Sequence, residues 1–252
     1  MNIPFEKQIG VKSIKKQLAE GLLKRTLGID LGIKHLVVIT IMEGDKLLKT
    51  EFIRGSKLND LRYSALKTIT EKQKLSGKPV KGERSNKNLW QYISNLNEDI
   101  AHQVSARIVA LAKEFNCQVI IFENLNNFNR KAKNKATRLN LKLNYWLHGK
   151  IVDYTRYKAY AEKILTVERS PFMTSQIHYK SNQVGERFSP ASEFGKSLIM
   201  FEDGTTLNAD FNASLNLHRK FHKTFPKLVM KEIKQKKLIL KAKLKEELKA
   251  VV

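Results

Sequence analysis

The sequence predicts an α/β fold, a mixed sheet with helices on its faces, and three observations support this prediction. Apolar runs rich in β-branched residues occupy 27–31 and 36–42, and 46–53 follows a Gly44-Asp45 turn signal, as in a three-stranded meander. Two long segments with apolar residues every three or four positions follow, which is typical of amphipathic helices. A short apolar run, 118–122, then indicates a strand buried on both faces. Strands and helices in this order favour a layered α/β domain.

The individual elements are expected in the following order. The two amphipathic helices lie at 58–75 and 88–115, joined by a connector rich in Gly, Pro and Lys that we expect to be exposed. The strand at 118–122 is expected to pair in parallel with the first strand, 27–31. The remaining expected elements are a helix at 143–163, a strand at 164–168, an irregular segment at 170–206, a helix at 210–221 and a Lys-rich helix at 228–252.

The charge balance predicts a polyanionic partner. The chain has 252 residues, with 47 Lys and Arg against 24 Asp and Glu, and its formal net charge is +23. Solubility alone rarely requires more than about +8 on a small domain. The charge is also distributed, whereas membrane-surface binding favours one amphipathic basic helix, and no stretch approaches the roughly 18 apolar residues of a membrane span. We therefore expect a cytoplasmic protein that binds nucleic acid through its phosphates.

The segment 124–152 contains no acidic residue, and its first part is predicted to be a loop that faces phosphate groups. The alternative is an ordinary solvated surface loop. The candidate nucleic-acid contacts are Arg130, Lys131, Lys133, Lys135 and Arg138. The helix that follows carries Tyr145, Trp146, Tyr154, Tyr157 and Tyr160. Bases could stack on these rings, but their helical spacing favours packing in the core.

Three acidic residues lie at positions that suggest a functional role. Asp30 lies inside the first apolar strand, where a carboxylate is costly unless it is paired, hydrogen-bonded or bound to a metal. Glu123 closes the apolar run at 118–122, at the carboxyl end where ligands of open α/β sheets bind. Asp210 lies at the start of a predicted helix. The alternative to a functional role for Asp210 is that it is an ordinary helix cap or first-turn acid.

Together, the three acids predict a metal site. If the strands that carry Asp30 and Glu123 are adjacent, their carboxylates converge, and a following helix can bring Asp210 against them. Three close carboxylates stay ionised only when a cation compensates their repulsion. Hard oxygen ligands suit two Mg²⁺ or Mn²⁺ ions, which can activate a water and stabilise the leaving oxygen of a phosphodiester. The sequence therefore predicts phosphodiester hydrolysis with these three residues as catalytic metal ligands.

Three segments resemble the parts of a known nuclease domain. The sequences GIDLG at 28–32, IFENL at 121–125 and DFNASLN at 210–216 resemble, in this order, the split RuvC domain of TnpB proteins and type V CRISPR effectors. NEDIAH at 97–102 and TSQ at 174–176 resemble the family's Asp and His helix and the signature that opens its zinc ribbon. This resemblance implies an RNase H-like (RuvC) fold and an RNA-guided DNA endonuclease. It also implies guide RNA and target DNA as partners, and Asp30, Glu123 and Asp210 as metal ligands.

The zinc ribbon departs from the family pattern. Its two Cys-x-x-Cys knuckles align here with His178 and Ser181, and with Met200 and Asp203. Cys117 is the single cysteine of the chain and is expected to fill core space, so neither a disulfide nor a cysteine-rich zinc site is expected. We expect no zinc and a ribbon remnant held only by packing, because His178 and Asp203 alone are too few ligands for a metal.

The resemblance also sets the expected domain organisation. Family members usually carry guide-RNA and target-DNA recognition domains before the first RuvC segment, whereas 26 residues precede Leu27 here. The chain is therefore interpreted as a fragment, a split subunit or a decayed copy, and a separate subunit is one candidate source of the recognition portion. The expected divisions are an extension at 1–26, the RuvC-like core at 27–169, the degenerate ribbon insert at 170–206, the last core segment at 207–225 and a basic helix at 226–252.

Two other functions are compatible with the sequence. A non-cleaving RNA- and DNA-binding relative, such as a repressor or a transposition-targeting component, fits the lost knuckles, although the three retained carboxylates favour the enzyme. A RuvC-like resolvase would act on branched DNA without RNA. Asn212 and Asn216 are candidates for orienting Asp210 or facing the metals. His102 is expected to be a satisfied helix residue rather than a catalytic base.

Overall fold

The polypeptide divides into two units, Met1–Glu168 and Arg169–Val252, and each is described by itself. The computed structural model of the chain describes residues 9–32, 35–76, 86–124, 135–188 and 197–222, with the backbone alone at 135–146. In these ranges no helix is long and apolar enough to cross a lipid bilayer.

A five-stranded mixed sheet forms the centre of the first unit. Its strands are β1 (Arg25–Leu31), β2 (His35–Glu43), β3 (Lys46–Arg54), β4 (Val119–Glu123) and β5 (Leu165–Arg169). They follow the order β3-β2-β1-β4-β5 across the sheet. The β1–β2 and β2–β3 pairs are antiparallel, whereas β1 and β4 are parallel. The predicted meander and the predicted parallel pairing are therefore confirmed.

The helices described in the first unit are α1 (Ile14–Ala19), α2 (Ser56–Ser76), α3 (Lys87–Glu114) and α4 (Lys135–Ala161). The main core lies between one face of the sheet and the apolar faces of α3 and α4. It includes Leu27, Ile29, Ile120 and Phe122 from the sheet, Val104, Ile108 and Leu111 from α3, and Leu147 and Ile151 from α4. The sheet flanked by helices confirms the predicted α/β, RNase H-like fold class.

A buried arginine joins α2 to α3. Arg62 is 2% exposed, and its Nε donates a 2.8 Å hydrogen bond to the side-chain oxygen of the fully buried Asn97. Burial lowers the pKa of Arg62 to about 10, so the guanidinium stays charged at neutral pH. A small apolar cluster of Ala65, Ile69 and Ile93 extends this contact. The α2–α3 pair is therefore held by both a polar and an apolar contact.

In its described residues, 169–188 and 197–222, the second unit contains a small antiparallel sheet and one helix. Its strands are β6 (Glu186–Arg187), β7 (Leu198–Met200) and β8 (Thr206–Asn208), in the order β6-β7-β8, and α5 spans Ala209–His222. The segment expected to be irregular at 170–206 thus contains short strands, which pair around the buried Ile199 and Phe201. The helix expected at 210–221 is confirmed.

The predicted phosphate-facing loop is wrong at two positions. Helix α4 begins at Lys135 rather than at 143, so Lys135 and Arg138 lie in a helix. The sequence KATRLNLK at 135–142 contains strong helix formers and neither Gly nor Pro, which explains the earlier start. The other three basic candidates, Arg130, Lys131 and Lys133, lie outside the described residues, as do the helix expected at 228–252 and the connector at 77–85.

The tyrosines of α4 only partly follow the prediction of core packing. Tyr154 packs against the main core, and its ring stacks on His102 with centroids 4.2 Å apart. Tyr157 and Tyr160 are 53% and 46% exposed, so core packing is wrong for these two. The side chains of Tyr145 and Trp146 lie outside the described part of the chain.

Candidate active site

Asp30 and Glu123 lie side by side at the ends of adjacent strands. The parallel register pairs Ile29 with Phe122, so the next position along each strand sets Asp30 beside Glu123. Paired positions of neighbouring strands are about 5 Å apart, and their side chains point to the same face. The two residues are 7% and 9% exposed. The structure therefore brings these two predicted ligands together.

This carboxylate pair lies on the face of the sheet opposite α3 and α4. Ile29 and Phe122 point into the main core. Side chains alternate along a strand, so Asp30 and Glu123 point to the other face. The alternation explains how an acid can stand within a strand of buried residues without entering the apolar core.

His148 of α4 fixes the chain just after Asp30. Its Nε2 lies 3.0 Å from the carbonyl oxygen of Gly32, and the residue is 2% exposed. A carbonyl oxygen only accepts, so Nε2 of His148 carries the proton. The backbone N–H of Gly32 also donates to the Leu36 carbonyl, at 3.3 Å. The end of β1 is thus held from both sides, a role that a single histidine within a helical pattern did not indicate.

Asp210 lies in the first turn of α5, in the second unit. The side-chain oxygen of Asn208 accepts the backbone N–H groups of Asp210 and Phe211, both at 3.0 Å, so Asn208 is the N-cap. Asp210 is half-buried. A carboxylate in the first turn of a helix is stabilised by the positive end of the helix dipole. The alternative interpretation of Asp210, an ordinary first-turn acid, is therefore consistent with its position.

The Asp30–Glu123 pair fits a hard divalent cation. Carboxylate oxygens are the ligands that Mg²⁺ and Mn²⁺ prefer, and adjacent carboxylates are stabilised by a cation between them. In the described ranges, no group of three or more His, Cys, Asp or Glu side chains forms a metal site. The structure therefore shows two predicted ligands as neighbours, and their convergence with Asp210 remains a prediction.

The first knuckle position of the ribbon insert is occupied by a hydrogen-bonded histidine. Nδ1 of His178 accepts the backbone N–H groups of Lys180 at 3.3 Å and Ser181 at 3.0 Å. Because an accepting nitrogen needs its lone pair, His178 is neutral, with the proton on Nε2. Burial lowers the pKa of His178, as do Lys180 and Arg219, while Asp203 raises it. The ring also meets Phe201 edge-on, with centroids 4.7 Å apart.

The second knuckle position forms a turn stabilised by Asp203. Its Oδ1 accepts the backbone N–H of Thr205 at 2.9 Å, and this bond is the main cause that lowers the pKa of Asp203. The backbone of Phe201 also pairs with Thr205 and Gly204. Both knuckle turns are therefore closed by hydrogen bonds of their own residues.

The proposed metal-facing role of Asn212 and Asn216 is wrong. Both side chains are fully buried and bind backbone carbonyls of the insert, at Thr174 and Ile177. The expectation that packing alone holds the insert is therefore also wrong. A buried amide must satisfy its hydrogen bonds, and here the carbonyls of Thr174 and Ile177 accept them.

Two other expectations agree with the structure. His102 stacks on Tyr154, and its Nε2 lies 3.7 Å from Glu98, which suits a satisfied helix residue. Cys117 belongs to the main core, and burial raises the pKa of its thiol to about 12.

The comparisons with known proteins identify relatives. No protein-family model matches the chain. The chain is 32% identical to a TnpB-like protein of Aquifex aeolicus, with 84% of this chain and 70% of that protein covered. It is 23% identical to a TnpB-like protein of Methanocaldococcus jannaschii, over 69% of this chain and 60% of that protein.

Solved structures of CRISPR effectors share the fold. A Cas12f1–sgRNA–target DNA complex matches with a TM-score of 0.59 and 18% identity, over 77% of this chain and 50% of that chain. The C2c1 protein of Alicyclobacillus acidoterrestris, in complex with single-guide RNA, matches with a TM-score of 0.57 and 11% identity, over 88% of this chain and 41% of that chain. The chain thus spans half or less of these effector chains. By its sequence and its fold, the chain belongs to the TnpB-like protein family.

Proposed function

We propose that this chain is a metal-dependent DNA endonuclease of the RuvC type that is guided by RNA. The observation that carries the proposal is the placement of Asp30 and Glu123 in register, on one face, at the carboxyl ends of adjacent parallel strands. Membership in the TnpB-like family and the fold shared with guide-RNA-bound effectors support it. The net charge of +23 suits both proposed partners, guide RNA and target DNA.

The proposed ligands are Asp30, Glu123 and Asp210. Asp30 and Glu123 are fixed by the sheet, so little conformational entropy is lost when they bind a cation. The bond from His148 to the Gly32 carbonyl holds the end of β1 in place. Two Mg²⁺ or Mn²⁺ ions would supply an activated water and stabilisation of the leaving oxygen when bound. The near-complete burial of the two carboxylates keeps bulk water from competing for their oxygens.

The basic residues that precede and begin α4 are proposed to bind the phosphates. Lys135 and Arg138 lie in the first turns of this helix, and Arg130, Lys131 and Lys133 precede it in the chain. Phosphate contacts fix the register and the orientation of a nucleic acid without reading its sequence. In this proposal they bring the strand to the carboxylates.

Isosteric substitutions test the assignment of the ligands. We expect Asp30→Asn, Glu123→Gln and Asp210→Asn each to slow cleavage of labelled single-stranded DNA by at least about 100-fold, since even the loss of a residue that only orients a metal ligand costs about 10–100-fold. Mn²⁺ binding, measured by electron paramagnetic resonance without DNA, should weaken in the same variants. This second measurement detects the site even when the guide RNA is absent.

Asp153→Asn is the matched control. Asp153 lies on α4 and pairs with Arg156 at 3.2 Å on the surface, so the same chemical change there should leave both cleavage and Mn²⁺ binding unaltered. Wild-type rates in Asp30→Asn and Glu123→Gln would disprove the assignment. RNA that copurifies with the chain and stimulates cleavage supports guidance, whereas cleavage of branched DNA without RNA supports a resolvase.

A non-cleaving nucleic-acid-binding protein is the second candidate function. The observation that favours it is the loss of ligands at both knuckle positions, where His178, Ser181, Met200 and Asp203 replace cysteines of the family pattern. Absence of cleavage by the wild-type protein, together with tight RNA binding and no Mn²⁺ binding, would support this function instead.

A further inference from the structure

One side of α5 is bound along its length to the ribbon insert. Nδ2 of Asn212 donates to the Ile177 carbonyl at 2.8 Å and to the Thr174 carbonyl at 3.2 Å. Nδ2 of Asn216 donates to the same two carbonyls, at 2.6 and 2.8 Å. One turn later, Nη1 of Arg219 donates to the carbonyls of His178 at 3.4 Å and Tyr179 at 3.2 Å, and Nη2 binds Asn182. Successive turns of the helix therefore bind one continuous segment, 174–182.

The bound side of α5 is opposite the side that carries Asp210. A helix turns by about 100° per residue, so Asn212, Asn216 and Arg219 lie roughly 200°, 240° and 180° around the axis from Asp210. Asp210 is half-buried, while the two asparagines are fully buried. The hydrogen bonds from α5 to 174–182 therefore lie on the side of the helix opposite Asp210.

These contacts depend on amide donors. The side-chain oxygen of Asn216 finds no hydrogen-bond partner in the described part of the chain, so this amide is held by its nitrogen alone. A carboxylate of the same shape would face the carbonyls of Thr174 and Ile177 without any proton to donate. Burying such an unpaired charge is costly.

The insert keeps its shape through bonds made within it. The His178 ring accepts two backbone N–H groups, and the backbone N–H of Gly185 donates to the Gln176 carbonyl at 2.8 Å. Ile199, Phe201 and Ala209 form an apolar cluster beside these turns. None of these contacts uses a metal ligand.

We propose that the ribbon insert is a metal-free support for α5, in which Asn212, Asn216 and Arg219 bind the backbone of 174–179 and fix the helix so that Asp210 points away from the insert. These three are positioning residues. That the insert supports α5 is inferred from the hydrogen bonds described above. That this support matters for catalysis rests on the proposed function of Asp210.

Asn216→Asp tests the support, since it keeps the shape of the side chain and removes its donors. Hydrogen exchange, read by NMR, should accelerate at least about 10-fold at Gly185 of the insert and at Asp210 and Phe211 of α5, while the amides of β1 and β4 keep their protection. The ¹⁵N spectrum should also lose the signature of a neutral His178 ring with an accepting Nδ1. Arg219→Met is a milder variant that should show the same changes to a smaller degree.

Asn95→Asp is the control, because Asn95 is exposed on α3 and the chemical change is identical. Chelator should leave the exchange rates of the wild-type protein unchanged. Unaltered exchange at Asp210 and Phe211 in both Asn216→Asp and Arg219→Met would overturn the proposal, and so would acceleration by chelator. If the wild type neither cleaves DNA nor binds Mn²⁺, the proposed function is wrong. The exchange rates would still show whether the insert supports α5.

Discussion

Gly185 of the insert has no space for a side chain. A Cβ atom there would lie 2.7 Å from Ile199 Cγ1, 2.7 Å from Phe201 Cδ1 and 2.8 Å from the Met200 carbonyl oxygen. We expect Gly185→Ala to destabilise the second unit by about 1–3 kcal/mol, the usual cost of overpacking. Hydrogen exchange of the insert amides measures this change.

Gly149→Ala provides the comparison for Gly185→Ala. A Cβ at Gly149 meets nothing within 4 Å, and the residue lies inside α4. Alanine is preferred over glycine in helices by about 1 kcal/mol, so this variant should be neutral or more stable. Equal destabilisation by both substitutions would contradict the tight packing at Gly185.

His178 makes the insert sensitive to pH. Burial, Lys180 and Arg219 lower the pKa of His178, and Asp203 only partly opposes them. The unfolded chain titrates near pH 6.5 and therefore binds a proton more readily than the folded insert. The contribution of His178 is fully present above about pH 6.5 and is lost as the pH falls through the lower folded pKa. Chemical-shift titration of insert amides between pH 7.5 and 5 measures this loss.

His178→Asn separates the hydrogen bonds of His178 from its titration. The side-chain oxygen of asparagine can accept the same N–H groups as Nδ1 and does not titrate. The variant should keep the knuckle turn and lose the pH dependence of the insert in this range. If the dependence persists in His178→Asn, another group is responsible.

Single residues differ in how well the sequence predicts them. Asp30 and Glu123 were identified because an acid at the end of an apolar strand is conspicuous and strand register is regular. The burial of Arg62 and the partners of Asn216 were not predicted, since a buried polar residue looks like an exposed one in the sequence until its partner is known. Asn216 binds carbonyls more than 30 residues away in the chain, and local patterns carry no signal for such a contact.

At the level of elements, the ribbon insert carries a prediction about metal content. Its knuckle turns are closed by His178 and Asp203 through hydrogen bonds to the backbone. We expect the purified protein to contain no stoichiometric zinc and to keep its melting temperature in excess chelator, unlike a structural zinc site, whose binding energy contributes to folding. Elemental analysis and thermal unfolding with and without chelator provide the measurement.

One zinc ion per chain, or a melting temperature that chelator lowers, would contradict this prediction. The proposed Mg²⁺ or Mn²⁺ site is expected to respond differently, because carboxylate ligands bind those ions weakly and reversibly. Adding Mn²⁺ back after the chelator therefore distinguishes the two kinds of site.

Helices and strands could be predicted from the sequence where their apolar residues follow a clear periodicity. The strands β1 to β4 and the helices α2, α3 and α5 follow directly from that pattern. The start of α4 was missed because a charged segment without acids was interpreted by its charge, although its helix propensity is high. The strands β6, β7 and β8 have two or three residues each, too few for any periodicity to appear.

For the whole molecule, the excess of positive charge predicts salt-sensitive binding of nucleic acid. With a net charge of +23, the logarithm of the binding constant for single-stranded DNA or RNA should fall linearly with the logarithm of the salt concentration. Replacing Arg130, Lys131 and Lys133 by Gln should reduce the slope by about 0.7 for each phosphate contact that is lost. Fluorescence anisotropy at several salt concentrations measures both effects.

Replacing Lys46, Lys49 and Arg54 of β3 by Gln is the matched control, because these exposed residues lie on a different element. A slope that changes equally in both triple variants would contradict a specific role for the residues before α4. The fold class could be predicted at this scale because the order of the elements depends on many residues together. The convergence of Asp210 with the other two carboxylates stays a prediction, since it depends on contacts between distant segments of the chain.

The direct connection between β8 and α5 limits how this region can evolve. The strand ends at Asn208 and the helix begins at Ala209, with no loop between them. One additional residue would rotate the whole helix by about 100° relative to the strand. The carboxylate of Asp210 would then swing toward a different direction, and the row of asparagines would leave its carbonyls. An insertion or a deletion at this joint would therefore change the direction of every side chain of α5, whereas a substitution changes one side chain.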